Sequence, residues 1–341
     1  MARSRIPILG ALLLLLANSL TGQTLATPAY RYFRVGNAAD AAATPRAGYA
    51  LMGGGSDLDE AFRWLCDRAG GGDLLVLRAA GDDEYNTYIQ KLCPLNSVST
   101  LVIPSRAAAL DPFVERAIRA ASAVFISGGD QANYINFWAQ TPVQQALNNA
   151  IRRGLPMGGT SAGLAVLGEF AYTAQGDKPD DPNLDSKTAL ADPYGPRITL
   201  YHHFLEIPIL KGIITDTHFA KRNRMGRLLV FLARLNEPDV KPLPGGIPKI
   251  RGIGVEQAAA VLLEPDGKAT VVGHGSAYFV WPGAGCVMDA GKPLYSFDFS
   301  VQKVAPGHSF DLKTWTGDSA QYTLSVRRGK IHSTQPGGGV Y

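Results

Sequence analysis

The chain has 341 residues, of which 46% are hydrophobic and 18% are charged. This composition is typical of a globular protein with a sizeable core, and it excludes a disordered chain. The formal net charge is +4 and the sequence has no dense basic run, so binding to nucleic acid is not predicted.

The N-terminus has the pattern of an export signal. Arg3 and Arg5 precede a nearly continuous apolar run at residues 6–16, and small or polar residues follow. This order is typical of a secretory signal peptide, and the run is shorter than the ~20 residues that a membrane-spanning helix needs. We therefore predict a signal peptide over residues 1–26, with an uncleaved anchor as the alternative. The mature protein is expected to be secreted or periplasmic and not attached to a membrane.

Export to an oxidising compartment would allow two of the cysteines to form a disulfide. Cys66 and Cys93 flank one strand-like unit, and they are the predicted pair. Cys286 would then be a single thiol, which we expect to be buried.

From residue 47 to residue 157, short apolar runs alternate with segments of helical spacing. Strands are predicted at residues 47–52, 73–78, 100–103, 123–127 and 155–157. Helices are predicted at residues 57–68, with Ser56 or Asp57 as the N-cap, and at 112–121, 132–138 and 143–153. This order predicts an α/β fold with a parallel sheet, helices on both faces, and active groups at the carboxyl ends of the strands.

The pattern changes after residue 250. Short runs at residues 254–264, 269–273, 277–281, 295–304 and 321–326 are separated by Pro, Gly and Asp, and they indicate β-strands. We therefore predict one α/β domain over residues 27–290 and a β-rich C-terminal extension over residues 291–341.

The segment from Gly158 to Gly163 contains G-x-S-x-G, the pattern of a nucleophile elbow centred on Ser161. In such an elbow, a tight strand-to-helix turn projects the serine hydroxyl above the edge of the sheet. The pattern follows a predicted strand and precedes an apolar run. This context favours a nucleophile over the alternative, a glycine turn with a capping serine.

A serine nucleophile requires a base, and His218 is the best placed of the six histidines. It follows the apolar run at residues 209–214, and we predict that it begins a helix carrying Arg222, Arg224 and Arg227. A histidine beside these cations suits a substrate that bears carboxylates. The alternative is a solvated basic helix face.

His202 and His203 are adjacent, and in an extended segment their side chains would point to opposite sides. The sequence contains no CxxC motif and no Cys/His cluster. No metal site is therefore predicted.

Three segments of the sequence form an ordered set. They are residues 125–131 (FISGGDQ), residues 159–163 (GTSAG) and residues 216–219 (DTHF), the last followed by Arg222, Arg224, Gly226 and Arg227. This set resembles the signatures of the cyanophycinase family, which is serine peptidase family S51 and includes dipeptidase E-like relatives. Residues 252–257 (GIGVEQ) resemble a fourth, weaker signature, and the likeness extends from residue 47 to residue 281.

The resemblance implies a class I glutamine amidotransferase-like α/β fold, with Ser161 as the nucleophile and His218 as the base. It implies that backbone N–H groups near Gly129 and Asp130 form the oxyanion hole. It assigns pocket positions to Gln131, Asp216, Thr217, Arg222, Arg224 and Arg227. It implies no metal or organic cofactor, and a homodimer is expected because dimers are common among relatives of this fold.

The third member of the catalytic group departs from the family pattern. The family acid is a Glu of the fourth signature, and in strict register Gln257 stands at that position, directly after Glu256. We predict Glu256 as the acid, with Asp185 as the next candidate. In the dipeptidase branch the acid lies between the serine and the histidine, where Asp177 and Asp181 are further candidates.

The resemblance also implies a reaction. The family's substrate is cyanophycin, a poly-aspartate backbone with arginine on each side-chain carboxyl, and its hydrolysis through an acyl-enzyme releases β-aspartyl-arginine dipeptides. Thr217 replaces the Gln that usually precedes the histidine, so the pocket can select a different substrate. Two alternatives stay open: an exopeptidase for short aspartyl or isoaspartyl peptides, and an inactive secreted binding protein on the same fold. A glutamine amidotransferase is disfavoured, because such enzymes have Cys where Ser161 stands.

Overall fold

The computed structural model describes residues 29–237, 249–283 and 288–341. The predicted signal peptide and Cys286 lie outside the described residues.

The described chain alternates strands and helices up to residue 235 and is mainly β-structure after residue 250. The first strands are β1 (Arg31–Gly36), β2 (Tyr49–Met52), β3 (Asp73–Arg78), β4 (Ser97–Val102), β5 (Ala123–Ile126), β6 (Met157–Thr160), β7 (Phe170–Tyr172), β8 (Leu200–His202) and β9 (Ile213–Asp216). The later strands are β10 (Arg251–Val255), β11 (Ala259–Leu263), β12 (Lys268–Gly273), β13 (Ala277–Pro282), β14 (Ser296–Val304), β15 (Ser309–Asp311), β16 (Thr316–Gly317), β17 (Gln321–Arg327) and β18 (Lys330–Ser333). The helices are α1 (Asp59–Arg68), α2 (Glu84–Leu92), α3 (Arg106–Ala109), α4 (Pro112–Ala120), α5 (Gln131–Trp138), α6 (Pro142–Arg152), α7 (Ala162–Ala165), α8 (Ser186–Ala191) and α9 (Met225–Leu235).

The first sheet has the order β1-β4-β3-β5-β6-β2-β11-β12-β15-β16. Its five neighbouring strands β4, β3, β5, β6 and β2 are mutually parallel. Side chains alternate between the two faces of a strand, so Leu75 and Leu77 pack into the core under α4–α6. Leu74 and Val76 of the same strand pack into the core under α1 and α2. The predicted parallel sheet with helices on both faces is therefore confirmed.

The second sheet has the order β18-β17-β14-β13-β10-β9-β7-β8. Helix α9 packs against it, and the core between them is built on aromatic and aliphatic residues such as Phe231 and Leu228. The β-rich C-terminal region is present as predicted. Its strands extend both sheets: β14, β17 and β18 continue the second, whereas β15 and β16 complete the first.

Two local predictions are wrong. The run at residues 254–264 is not one strand, because β10 ends at Val255 in the second sheet and β11 begins at Ala259 in the first. The turn between them therefore crosses from one sheet to the other. Helix α1 has Leu58 as its N-cap, and the leucine side chain has no polar atom that could accept a cap hydrogen bond. Asp57 lies one residue earlier, and one of its carboxylate oxygens accepts from the hydroxyl of Tyr85 at 2.5 Å.

The described chain has no helix that combines the length and the apolar character needed to cross a bilayer. A disulfide joins Cys66, in α1, to Cys93, directly after α2, with a Cα–Cα distance of 6.1 Å. It links the two helices that cover one face of the first sheet.

Removing this disulfide should lower the free energy of unfolding. A cross-link between residues separated by 27 positions stabilises by about 3.5 kcal/mol in the chain-entropy model. The double variant Cys66→Ala/Cys93→Ala is expected to lose about that much in urea unfolding monitored by circular dichroism. With a strong reductant present, the two proteins should unfold alike. If the two proteins still differ in the free energy of unfolding under reduction, the alanines change stability by a mechanism other than loss of the disulfide.

Candidate active site

Ser161 lies on a sharp turn between β6 and α7. Its backbone has φ 52° and ψ −116°, a conformation that is costly for a residue with a side chain and typical of a nucleophile elbow. The turn is tight because a Cβ on Gly163 would lie 2.0 Å from the carbonyl oxygen of Ile126. Glycine at this position lets α7 pack against the end of β5.

His218 follows β9, the neighbouring strand of β10 in the second sheet. Its Nε2 atom lies 2.7 Å from the Oγ atom of Ser161, so the predicted nucleophile and base form a hydrogen-bonded pair. The predicted helix from His218 is wrong, because α9 begins only at Met225. His218 has φ 48°, and the segment before Met225 forms turns in which the Arg222 N–H donates to the His218 carbonyl at 2.9 Å.

The glycine-rich segment after β2 supports both residues. The N–H of Ser161 donates to the carbonyl of Met52 at 3.2 Å, and the N–H of His218 donates to the carbonyl of Gly53 at 2.8 Å. Gly54 has φ 89°, and a Cβ there would lie 2.5 Å from Cε1 of the His218 imidazole. Any side chain at Gly54 would therefore displace the imidazole.

The prediction that Glu256 is the acidic partner of His218 is wrong. One carboxylate oxygen of Glu256 accepts from the Tyr278 hydroxyl at 2.6 Å, and the other accepts from the Ser276 N–H at 2.8 Å. The side-chain amide of Gln257 lies at the imidazole instead, with its Nε2 atom 2.6 Å from Nδ1 of His218. The turn between β10 and β11 directs these two adjacent side chains away from each other.

The alternative acids do not contact His218 either. Asp177 and Asp181 form ion pairs with Arg197 at 2.9 Å and 2.7 Å. Asp185 caps α8 by accepting from the N–H of Thr188 at 2.9 Å. The three carboxylates stabilise the loop between β7 and β8.

An amide at Nδ1 is compatible with a base at Nε2. To accept the Ser161 proton, Nε2 must carry the lone pair, so Nδ1 must carry the hydrogen and needs an acceptor. A half-turn of the Gln257 amide places its carbonyl oxygen where its NH₂ group lies, and this oxygen can accept from Nδ1–H. Gln257 can therefore orient the imidazole without adding a charge.

The imidazole of His218 lies in a cationic setting. Burial is the largest cause that lowers the pKa of His218, and the positive charges of Arg222 and Arg224 lower it further, to about 4. The pKa lies well below neutral pH, so His218 is uncharged there and is able to accept a proton.

A pocket of about 430 Å³ opens beside Ser161. It is lined by most of the predicted pocket residues, together with residues of the β7–β8 loop that the sequence argument did not assign. The lining residues are Gly129, Asp130, Gln131, Ser161, Tyr172, Ala174, Asp177, Lys178, Pro179, Pro182, Thr217, Arg222, Arg224 and Arg227. Gly129 and Asp130 thus lie on the same pocket as the nucleophile, and their oxyanion role stays a prediction.

The three arginines have different environments. Arg227 is fully buried, and its guanidinium binds Asp216 through two hydrogen bonds of 2.8 Å and 2.5 Å. Arg224 is buried and donates to the carbonyl and hydroxyl of Thr217 at 3.0 Å and 3.1 Å. Burial and the nearby Arg227 lower the pKa of Arg224 to about 9.

Arg222 differs from the other two arginines because it is exposed. Within the described residues, its guanidinium has no hydrogen-bond or ion-pair partner. Arg224 and Arg227 therefore line the pocket as cations whose partners are within the protein, whereas Arg222 remains available to an anion.

The fold and the Ser161–His218 pair define an α/β protein with the site arrangement of a serine hydrolase. The family model "Peptidase family S51" matches residues 77–206. The chain is 31% identical over 172 residues to a curated cyanophycinase of Nostoc sp. (strain PCC 7120 / SAG 25.82 / UTEX 2576), covering 50% of this chain and 48% of that protein. It is 28% identical over 264 residues to a cyanophycinase of Synechococcus elongatus, covering 73% of each.

The chain is therefore similar to peptidase family S51 over residues 77–206, and to curated cyanophycinases over a longer part of its length. It spans about half the length of the curated relatives that match at 31% identity. Among solved structures, a peptidase from an acI-B1 Actinobacterium aligns with a TM-score of 0.49 at 16% identity, covering 78% of this chain and 97% of that one.

The pKa of His218 is open to direct measurement. We expect its imidazole to titrate with a midpoint near pH 4, and therefore to be neutral through pH 6 to 8. NMR titration of the imidazole Cε1–H signal tests this, with the signal assigned by its loss in His218→Gln. A midpoint near 6.5, the ordinary value for histidine, would contradict the role of burial and the arginines.

Replacing the neutral amide at Nδ1 by a carboxylate should raise this pKa. A negative charge in contact with the imidazole stabilises its protonated form, so Gln257→Glu is expected to raise the midpoint by roughly 1–3 units. Gln257→Met keeps the length of the side chain without charge, and it should cause no comparable rise. Equal midpoints in Gln257→Glu and Gln257→Met would show that residue 257 does not face the imidazole.

Proposed function

We propose that this protein is a secreted serine-type peptidase that hydrolyses cyanophycin to β-aspartyl-arginine dipeptides through an acyl-enzyme. The observation that carries the proposal is the 2.7 Å contact between Ser161 Oγ and His218 Nε2, at a pocket that contains Arg222. The curated relatives named cyanophycinase support the choice of substrate.

The proposed reaction follows from the atoms at the site. Neutral His218 takes the Ser161 proton at Nε2 while Oγ attacks the carbonyl of a backbone peptide bond. Backbone N–H groups near Gly129 and Asp130 stabilise the oxyanion. The protonated His218 then gives its proton to the leaving amine, and water hydrolyses the ester on Ser161 with His218 again as the base. Gln257 accepts from Nδ1–H throughout and holds the ring in place.

The charges of the pocket suit this polymer. Each repeating unit of cyanophycin carries an arginine whose α-carboxylate is an anion and whose guanidinium is a cation. Arg222 can bind the carboxylate through a charge-assisted hydrogen bond. Asp130 also lines the pocket and is exposed, so its carboxylate can accept from the guanidinium.

The disulfide supports the proposal of export. Disulfides persist in secreted and periplasmic proteins and are rare where thiols are kept reduced, and Cys66 and Cys93 are joined. An exported enzyme of this kind would act on polymer outside the cell.

Incubation of the purified protein with insoluble cyanophycin tests the proposed activity. The intact protein should clear the suspension and release β-aspartyl-arginine, detected by mass spectrometry, and Ser161→Ala should do neither. Release of other peptides in place of the dipeptide would favour the exopeptidase alternative. No hydrolysis, together with no labelling of Ser161 by a serine-reactive fluorophosphonate, would favour an inactive binding protein.

Arg222 should affect substrate binding more than chemistry. Losing a hydrogen bond to a charged group costs about 1.5 kcal/mol, so Arg222→Ala is expected to raise KM roughly tenfold with a smaller change in kcat. Lys221→Ala is the matched control. Lys221 is adjacent to Arg222 in the sequence and carries the same charge, but its side chain does not line the pocket. Equal effects of the two substitutions would mean that only the net charge matters.

A further inference from the structure

A second group of polar side chains lies apart from the catalytic pocket. The carboxylate of Glu169, between α7 and β7, is buried, and its Oε2 atom accepts from the N–H of Gly212 at 2.5 Å. Its other oxygen, Oε1, faces two imidazoles, with His202 Nε2 at 3.6 Å and His203 Nδ1 at 3.4 Å. One carboxylate oxygen and two ring nitrogens therefore converge on one point.

The convergence of the two imidazoles depends on the backbone of His203. Adjacent residues of an extended strand point to opposite sides, and the sequence argument expected this of His202 and His203. His203 has φ 60°, which ends the strand and turns its ring to the same side, so that the two ring centroids lie 3.4 Å apart. The ring of Phe170 stacks on His202 at 4.5 Å and fixes its orientation.

The distances from Glu169 Oε1 to the two imidazole nitrogens are those expected for ligands of one metal ion. Separations of 3.4 Å and 3.6 Å exceed an ordinary N–H···O hydrogen bond. Ligands on a tetrahedral metal ion with bonds of 2.0–2.2 Å lie about 3.4 Å from one another. The three ligand atoms all lie within 4.8 Å of one another, which is compatible with one shared ion.

We propose that Glu169, His202 and His203 bind one divalent transition-metal ion of the Zn²⁺ class. A carboxylate and two imidazoles form a ligand set suited to Zn²⁺, which leaves a fourth position for water. A cavity of about 160 Å³ borders Glu169 and His203 and gives room for that water. Lys211 and Glu206 also line the cavity, with opposite charges.

The ion would stabilise an edge of the second sheet. Among the strands that the structure describes, β8 is the last of that sheet and pairs with β7 alone. The chain after it is attached to α6 by hydrogen bonds, including Gln144 Nε2 to the His203 carbonyl at 2.8 Å. A metal ion on Glu169 and the two histidines would link this segment to the residue that precedes β7. The residues that line this cavity and those that line the Ser161 pocket do not overlap, so binding does not require the proposed hydrolysis.

Metal binding to untagged, chelator-treated full-length protein tests the proposal. Titration calorimetry with ZnCl₂ should show one tight equivalent, Co²⁺ should give the visible absorption of tetrahedral coordination, and Zn²⁺ should raise the melting temperature. Glu169→Gln, His202→Ala and His203→Asn should each weaken Zn²⁺ binding by ~10-fold or more. Asparagine is chosen at position 203 because it tolerates a positive φ.

Three controls separate this site from other binding. His274→Ala and His308→Ala remove histidines elsewhere, and Ser161→Ala removes the nucleophile; all three should bind Zn²⁺ like the intact protein. The three ligand variants should keep the far-ultraviolet circular dichroism of the intact protein in chelator, which shows that they fold. Absence of a tight equivalent in the intact protein, or equal binding by the folded ligand variants, would overturn the proposal.

Discussion

The hydrogen bond between Ser161 and His218 connects two sheets, and the geometry of the site depends on it. Ser161 follows a strand of the first sheet and His218 a strand of the second, and both have positive φ. Such a conformation costs of order 1–3 kcal/mol at each residue, and it persists only where neighbouring contacts enforce it. The carbonyls of three consecutive residues provide those contacts: Met52 binds the N–H of Ser161, Gly53 that of His218, and Gly54 that of Ala258, next to Gln257. One short segment thus positions the proposed nucleophile, the proposed base and the residue proposed to orient that base.

The charged residues of the site are of two kinds: some are paired within the protein, and one, Arg222, is available to a ligand. The pair of Asp216 and Arg227 is buried with matched hydrogen bonds, so breaking it would leave one uncompensated charge in the core. Arg222 and Arg224 keep a positive field at His218 that favours the neutral imidazole, whereas the charge of Asp216 acts in the opposite direction. A neutral base among fixed cations has two advantages for a substrate that carries carboxylates. In the proposed reaction, the base is ready at neutral pH and Arg222 attracts the carboxylate of the substrate.

The sequence predicted those parts of the molecule that local pattern determines. Apolar runs were enough to predict β2, β3 and β5, because parallel strands buried on both faces are continuous hydrophobic segments. Helical spacing was enough for α1, α4, α5 and α6, whereas α2 was not predicted. The glycine-rich elbow was enough to select Ser161. Glu256 and Gln257 could not be distinguished, because a turn between two sheets decides which side chain reaches Nδ1, and spacing along the chain does not encode that turn. The convergence of His202 and His203 was missed for a related reason, since a single positive φ reverses the expected direction of a side chain.

The neutral amide at His218 has a consequence for how such a site can change over generations. Glutamine and glutamate differ by a single base in their codons, and their side chains have nearly the same shape. A single mutation can therefore exchange the uncharged amide at Nδ1 for a charged carboxylate, without passing through a non-polar residue at that position. A lineage can change the basicity of the histidine at this position in one step while the three supporting carbonyls, the buried ion pair and the fold stay as they are.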